Sequence, residues 1–145
     1  MEIREITKAD VPACAAAFLA SYNDLPWNYD WRLEDAIIYL NEYMDVPQFK
    51  GFIIKEGEEI VGALLGHDKT WWTNNQFMID ELFIAASVQG KGYGKLLLKH
   101  AEQHAKDRSM GRITLMTNKF MPALEFYNKN DFSKVDQYVF MFKEL

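Results

Sequence analysis

The chain has 145 residues, 49% apolar and 26% charged, enough for one hydrophobic core and too few for two, so a single domain over residues 1–145 is expected. This composition excludes disorder and collagen-like structure, and the single cysteine, Cys14, excludes a disulfide framework or a cysteine-built zinc site. The net charge of −5 is uneven: residues 1–60 carry twelve Asp/Glu against five Lys/Arg, a balance of −7, and residues 61–145 come to +2. An acidic chain is a poor general binder of nucleic acid, whose phosphates demand basic surface. The charged opening MEIREITKAD has no apolar signal region, and no run approaches the roughly 18 apolar residues of a membrane helix. The expectation is a soluble cytoplasmic protein.

Met1–Ile6 alternates apolar and polar and predicts a strand. Thr7 followed by Asp10 can cap a helix, with Pro12 in its first turn and Ala13–Tyr22 as its body. Asn23-Asp24-Leu25-Pro26 breaks that helix. Asp30 is the expected cap of a second helix, with Leu33, Ala36, Ile37, Leu40 and Met44 on one face. Phe49–Lys55 and Glu59–Leu65 predict strands joined at Glu56-Gly57-Glu58. Phe77–Ile84 is another strand, Gly94–Arg108 a helix, Ile113–Thr117 a strand and Pro122–Asn128 a short helix. Phe132–Val135 and Tyr138–Phe142 read as a closing hairpin. The order is β-α-α-β-β-β-α-β-α-β-β. It predicts an α+β fold: a mixed, mostly antiparallel, seven-stranded sheet flanked by about four helices, with one parallel pair around residues 77–117.

The most specific feature is the turn Gln89-Gly90-Lys91-Gly92-Tyr93-Gly94-Lys95 between a strand and a helix. Its glycines let the backbone approach a ligand, and a helix start offers free N–H groups to a phosphate. It is not a Walker loop, since Gln89 stands where the first glycine belongs and Leu96 follows Lys95. A dinucleotide fingerprint also fails: the last glycine is replaced by Lys95 or Leu97, depending on the starting glycine.

Gln-x-x-Gly-x-Gly in this setting resembles the pyrophosphate loop of the GNAT (GCN5-related) N-acetyltransferases. Ile79–Ile84 resembles that family's fourth strand. Asn118, then Ala123 to Tyr127, then Phe132 resembles its C-terminal signature, with Asp131 where glycine is usual. The resemblance covers nearly the whole chain and is strongest over residues 79–132. It implies acetyl-CoA as donor, a primary amine as acceptor, direct transfer and no metal.

By the same resemblance, Leu82, Phe83 and Ile84 pair with the pantetheine arm and polarise the thioester. The loop residues Gln89, Gly90, Lys91, Gly92, Tyr93, Gly94 and Lys95 hold the pyrophosphate. Asn118 bonds the pantetheine or the backbone of the fourth helix, or caps a helix. Tyr127 stands at the position of the general acid. Glu81 is the candidate base, through a water; a water chain or another group stays open. Strict strand alternation sends the neighbouring Asp80 to the opposite face of the sheet.

The segment Tyr22–Trp31 is rich in aromatics and acids, and Trp71 and Trp72 precede the fourth strand. Tyr22, Trp27, Trp31, Trp71 and Trp72 are candidate acceptor contacts, and aromatic faces with carboxylates suit a small cationic amine, polyamine- or aminoglycoside-like. Alternatives are a protein or peptide N-acetyltransferase and a non-enzymatic CoA-binding regulatory module. The tryptophans also suit helix–sheet packing or a dimer interface. Dimers are common in the family, so a homodimer is admitted, with Tyr138–Phe142 at a sheet edge. His100 and His104 have a spacing that permits metal ligation, without a third ligand. His67 ends a strand within reach of the acceptor side, and Cys14 sits among alanines as a small buried side chain.

Overall fold

The computed structural model describes residues 1–145. Strand β1 (Glu2–Glu5) leads through a 3-10 turn into helix α1 (Val11–Tyr22) and then α2 (Leu33–Met44). Strands β2 (Phe49–Glu56), β3 (Glu59–Lys69) and β4 (Gln76–Ile84) follow, then α3 (Tyr93–Asp107), β5 (Arg112–Leu115) and α4 (Pro122–Lys129). The sheet has five strands in the order β1-β2-β3-β4-β5. Pairings are antiparallel except β4 with β5, which is parallel, as a strand–helix–strand crossover requires.

The start of α1 works as expected from Thr7 and Asp10. Asp10 Oδ2 accepts the Thr7 N–H at 2.8 Å and the Thr7 hydroxyl at 3.0 Å. The Arg4 guanidinium grips the same carboxylate through two bonds of 2.8 Å. The start of α2 differs. Its cap position is Arg32 with extended backbone, and Asp30 stays in the preceding loop. The buried face of α2 begins at Ala36, and Leu33 at its first position is exposed.

Two apolar clusters sandwich the sheet. Val11, Cys14, Phe18, Ala36 and Leu40 of α1 and α2 pack on Ile53, Leu65 and Phe83. Leu97, Leu98 and Ala101 of α3 and Tyr127 of α4 pack with Phe77, Ile79 and Ile84 on the other side. Leu40 is fully buried, so Leu40→Ala should cost about 2–5 kcal/mol.

The expected closing hairpin is absent, which reduces seven strands to five. The Phe132 N–H bonds the Tyr127 carbonyl at 3.1 Å, so residue 132 finishes the C-terminal turn of α4 instead of starting a strand. Asp131 takes the left-handed conformation there, φ 68°, in the place where glycine is usual. Residues 138–142 are largely exposed. Their potential partner β5 is only four residues long, a short edge to recruit a strand. No helix is long and apolar enough to cross a membrane.

Candidate active site

The site begins with an irregularity in β4. Leu65 pairs with Glu81 and Gly66 with Ile79, so Asp80 is an extra residue with no partner on β3. Such a bulge breaks strict alternation. The packing records it: Phe77 and Ile79 lie in the α3-side cluster, yet Phe83 lies in the α1/α2-side cluster despite its equal parity. Asp80 and Glu81 therefore both border the pocket on the α1/α2 face, which corrects the expectation that Asp80 points away.

A second irregularity opens the sheet. β5 pairs with β4 only from Gln76 to Ile79, so residues 80–84 have no strand partner on that edge. The splay exposes the backbone of Leu82, Phe83 and Ile84, although the Phe83 side chain is buried in the core. A pocket of about 260 Å³ lies where the strands part. Ile79–Leu82 form one wall, Leu115–Asn118 another, and Tyr127 closes the floor with Ala123.

Aromatic side chains from α1, α2 and the loop between them complete the pocket. Tyr22, Trp27, Tyr29, Trp31 and Tyr39 all line it. Tyr22 stacks on Tyr29 and meets Trp27 edge-on at 5.3 Å. The Asn23 amide holds the loop in shape: it donates to the Trp31 carbonyl at 2.9 Å and accepts the Trp31 N–H at 2.8 Å. Trp71 and Trp72 lie elsewhere, exposed in the β3–β4 loop.

Glu81 sits deep in this aromatic wall. Tyr22 donates to Oε2 at 2.9 Å, and Tyr39 donates to Oε1. Burial raises the Glu81 pKa above the usual carboxylate value, against the pull of the two phenols. Burial and the Glu81 charge raise the pKa of Tyr22 and Tyr39 in turn. Tyr127 is 9% exposed, and its hydroxyl makes no hydrogen bond to the protein. Burial first and the Glu81 charge second raise its pKa, so it stays protonated at neutral pH. Beside Glu81, His67 Nδ1 donates to Asp80 Oδ2 at 2.7 Å.

The loop at the start of α3 is ordered around its glycines. Gly90 and Gly92 both have φ 84°, a region costly to other residues, and a Cβ on Gly92 would point into open space. The first bond of α3 is Leu96 N–H to the Gly92 carbonyl, which leaves the N–H groups of Tyr93, Gly94 and Lys95 without helical partners. Gln89 pins the loop by donating to the Ile84 carbonyl at 2.9 Å. Lys91 and Tyr93 both reach Glu56, at 2.8 and 2.5 Å. Gly94 has another duty, since a Cβ there would stand 3.0 Å from the Phe126 ring. The donor set and the open cradle fit a pyrophosphate.

Asn118 borders the pocket and also accepts the Phe120 N–H at 2.9 Å, holding the turn before α4. His100 bonds the Leu96 carbonyl and His104 bonds Asp68, so the two do not converge on a common ligand. Sequence reasoning places His67 within reach of the acceptor side but misses its pairing with Asp80, and it misses Tyr39. Tyr39 lies four residues before Tyr43 on a helix, and that spacing was the one available signal.

Residues 16–132 match the Acetyltransferase (GNAT) family. The chain belongs to that family. A streptothricin acetyltransferase of Streptomyces lavendulae is 33% identical over 61 residues, 41% of this chain and 32% of that protein. The match thus spans about a third of that relative's length. Among solved structures, a transcriptional regulator from Bacillus halodurans C-125 superposes with a TM-score of 0.81 at 24% identity, covering 98% of this chain and 99% of that one. An aminoglycoside acetyltransferase from an uncultured soil metagenomic sample superposes with a TM-score of 0.76 at 19% identity, covering 99% and 95%. The parted strands leave one backbone edge of Leu82–Ile84 without a strand partner, the segment that the resemblance assigns to the pantetheine arm.

Proposed function

We propose that this acetyltransferase moves the acetyl group of acetyl-CoA to a primary amine of a small cationic acceptor, by direct attack in one step. The observation that carries the reading is that Glu81 and Tyr127 line one aromatic pocket, at the point where β4 and β5 part.

The chemistry assigns the roles. A free alkylamine has a pKa near 10 and must lose a proton before it attacks. Glu81, ionised and fixed by Tyr22 and Tyr39, accepts that proton through a water. The carbonyl oxygen gains charge as the new C–N bond forms. A backbone N–H on the free edge of Leu82–Ile84 stabilises it. The C–S bond then breaks, the Tyr127 hydroxyl supplies a proton to the departing thiolate, and the second proton of the nitrogen, surplus once the amide forms, leaves through water to solvent. Both groups return to their starting states by exchange with solvent. The N–H groups at the start of α3, with Lys91 and Lys95 beside them, hold the pyrophosphate of the donor, and Asn118 supports its arm.

The aromatic wall and its carboxylates favour a cationic acceptor. The exposed segment Tyr138–Phe142 supports a homodimer, which sedimentation would detect as twice the monomer mass. Calorimetric titration with acetyl-CoA and with CoA tests the donor site. One-to-one micromolar binding is expected, followed by acetylation of polyamines or aminoglycosides in preference to short peptides. A folded sample that binds neither donor overturns the reading.

A further inference from the structure

The β4 bulge brings a second carboxylate into the pocket, one that the proposed transfer does not use. Asp80 lines the same wall as Glu81, with its side chain only 14% exposed. His67, on β3, engages Oδ2 alone, and Oδ1 accepts no hydrogen bond from the protein. The imidazole thus sets the orientation of Asp80 without occupying it. No lysine or arginine lines the pocket, so two partly desolvated carboxylates face it with no cationic side chain in the wall. Buried negative charge of this kind needs a cation to be stable. The unpartnered Tyr127 hydroxyl, on a side chain nine-tenths buried, borders the same cavity and marks it as built for a ligand.

We propose that Asp80, positioned by His67, is a second cation-binding carboxylate of the acceptor pocket, so that the preferred acceptor carries two amino groups. One amine reacts opposite Glu81, and the other rests as an ammonium on Asp80 Oδ1. The aromatic faces of Tyr22, Trp27 and Trp31 cover the carbon chain between them. This rests on the reading of the pocket as the acceptor site. Glu81 cannot serve both amines, because both its oxygens already accept tyrosine hydroxyls.

The test is calorimetric titration of the whole chain, with and without CoA, using 1,3-diaminopropane, 1,4-diaminobutane and 1,5-diaminopentane. Each is compared with the monoamine of equal chain length. A charged hydrogen bond of ordinary strength predicts that at least one diamine binds about tenfold tighter than its monoamine, or more. Asp80→Asn, which keeps the shape of the side chain, should abolish that preference. His67→Asn, which can still donate to Asp80, should retain it, and His67→Leu should weaken it. Equal binding of every diamine and its monoamine overturns the proposal, as does a preference that survives in Asp80→Asn. Failure to bind CoA overturns the donor reading instead and leaves the comparison of amines intact.

Discussion

Tyr22 donates its hydroxyl to Glu81 Oε2 at 2.9 Å, joining the last turn of α1 to the bulge of β4 across 59 residues of chain. Tyr39 of α2 takes the other oxygen. Two helices therefore aim one buried carboxylate. This arrangement explains why the acidic side chain is tolerated in an apolar wall. Each oxygen has a donor, and the residual charge is held ready for a proton or a cation.

Glu81→Gln should lower turnover by about 10²- to 10⁴-fold, the usual worth of a positioned base, and leave acetyl-CoA affinity nearly unchanged. Because burial raises the pKa of Glu81 above 4.5, the wild type should lose kcat/KM as pH falls through that raised value. The variant should lack this acid limb. Stability follows with the opposite sense: the folded protein holds the proton more tightly than the unfolded chain, so ionising Glu81 costs stability as pH rises through the same window. Glu81→Gln should therefore be at least as stable as wild type at pH 7. Rate profiles and denaturant melts from pH 4 to 9 check both. An unchanged acid limb in the variant removes Glu81 as the base.

Much of this site was legible in the sequence, for reasons that differ by residue. The Gln89–Lys95 turn is a local device whose glycines carry their own meaning, and Gly90 and Gly92 do take the left-handed conformation. The Tyr22–Trp31 segment was legible as an aromatic cluster because loop composition survives without knowledge of the fold. The shared face of Asp80 and Glu81 was not. A bulge made of Asp80 has no glycine to mark it, and strict alternation gives the wrong face until the register with β3 is seen. The same holds for His67, which meets Asp80 only through that register. Trp71 and Trp72 look like pocket residues by type, but their loop leaves them exposed. The closing hairpin failed for a related reason. Strand-forming residues become a strand only beside a partner, and β5 ends at Leu115.

Tyr127→Phe removes one oxygen from a buried ring that packs between Phe126 and Phe132. Packing survives, so the fold and the donor affinity should survive. Turnover should drop about 10²-fold, because the leaving thiolate loses its proton source. Stopped-flow release of CoA thiol, set beside calorimetric binding of acetyl-CoA, separates the two quantities. Equal turnover in the variant would end the role of Tyr127 as acid.

Gly92→Val should block donor binding, and the structure supplies its own control. Gly92 and Gly57 both have positive φ, and a Cβ at either meets nothing within 4 Å. The backbone strain of a side chain is then similar at both, about 1–3 kcal/mol. Only Gly92 borders the open N–H groups of α3. Valine at 92 should therefore reduce CoA affinity more than about tenfold, and valine at 57 should reduce stability alone. Equal CoA affinity in both variants removes the loop as the pyrophosphate site.

The scaffold that carries Tyr22 is helix α1. Asp10 fastens the start of α1 by accepting two bonds from Thr7, and the Arg4 fork holds its carboxyl well below the usual carboxylate range. Asp10→Ala should cost about 1–2 kcal/mol, the loss of a helix-start anchor and one charge pair. The sign with pH is fixed by the direction of the shift. A lowered pKa contributes stability above the ordinary value of 3.8, and that contribution disappears as pH falls toward the folded value. The gap between wild type and Asp10→Ala should thus be full at pH 7 and shrink below pH 3.8. Urea melts of both proteins across that range measure it. A gap independent of pH would mean that the carboxylate charge contributes nothing, and that only the neutral bonds of the turn hold the helix start.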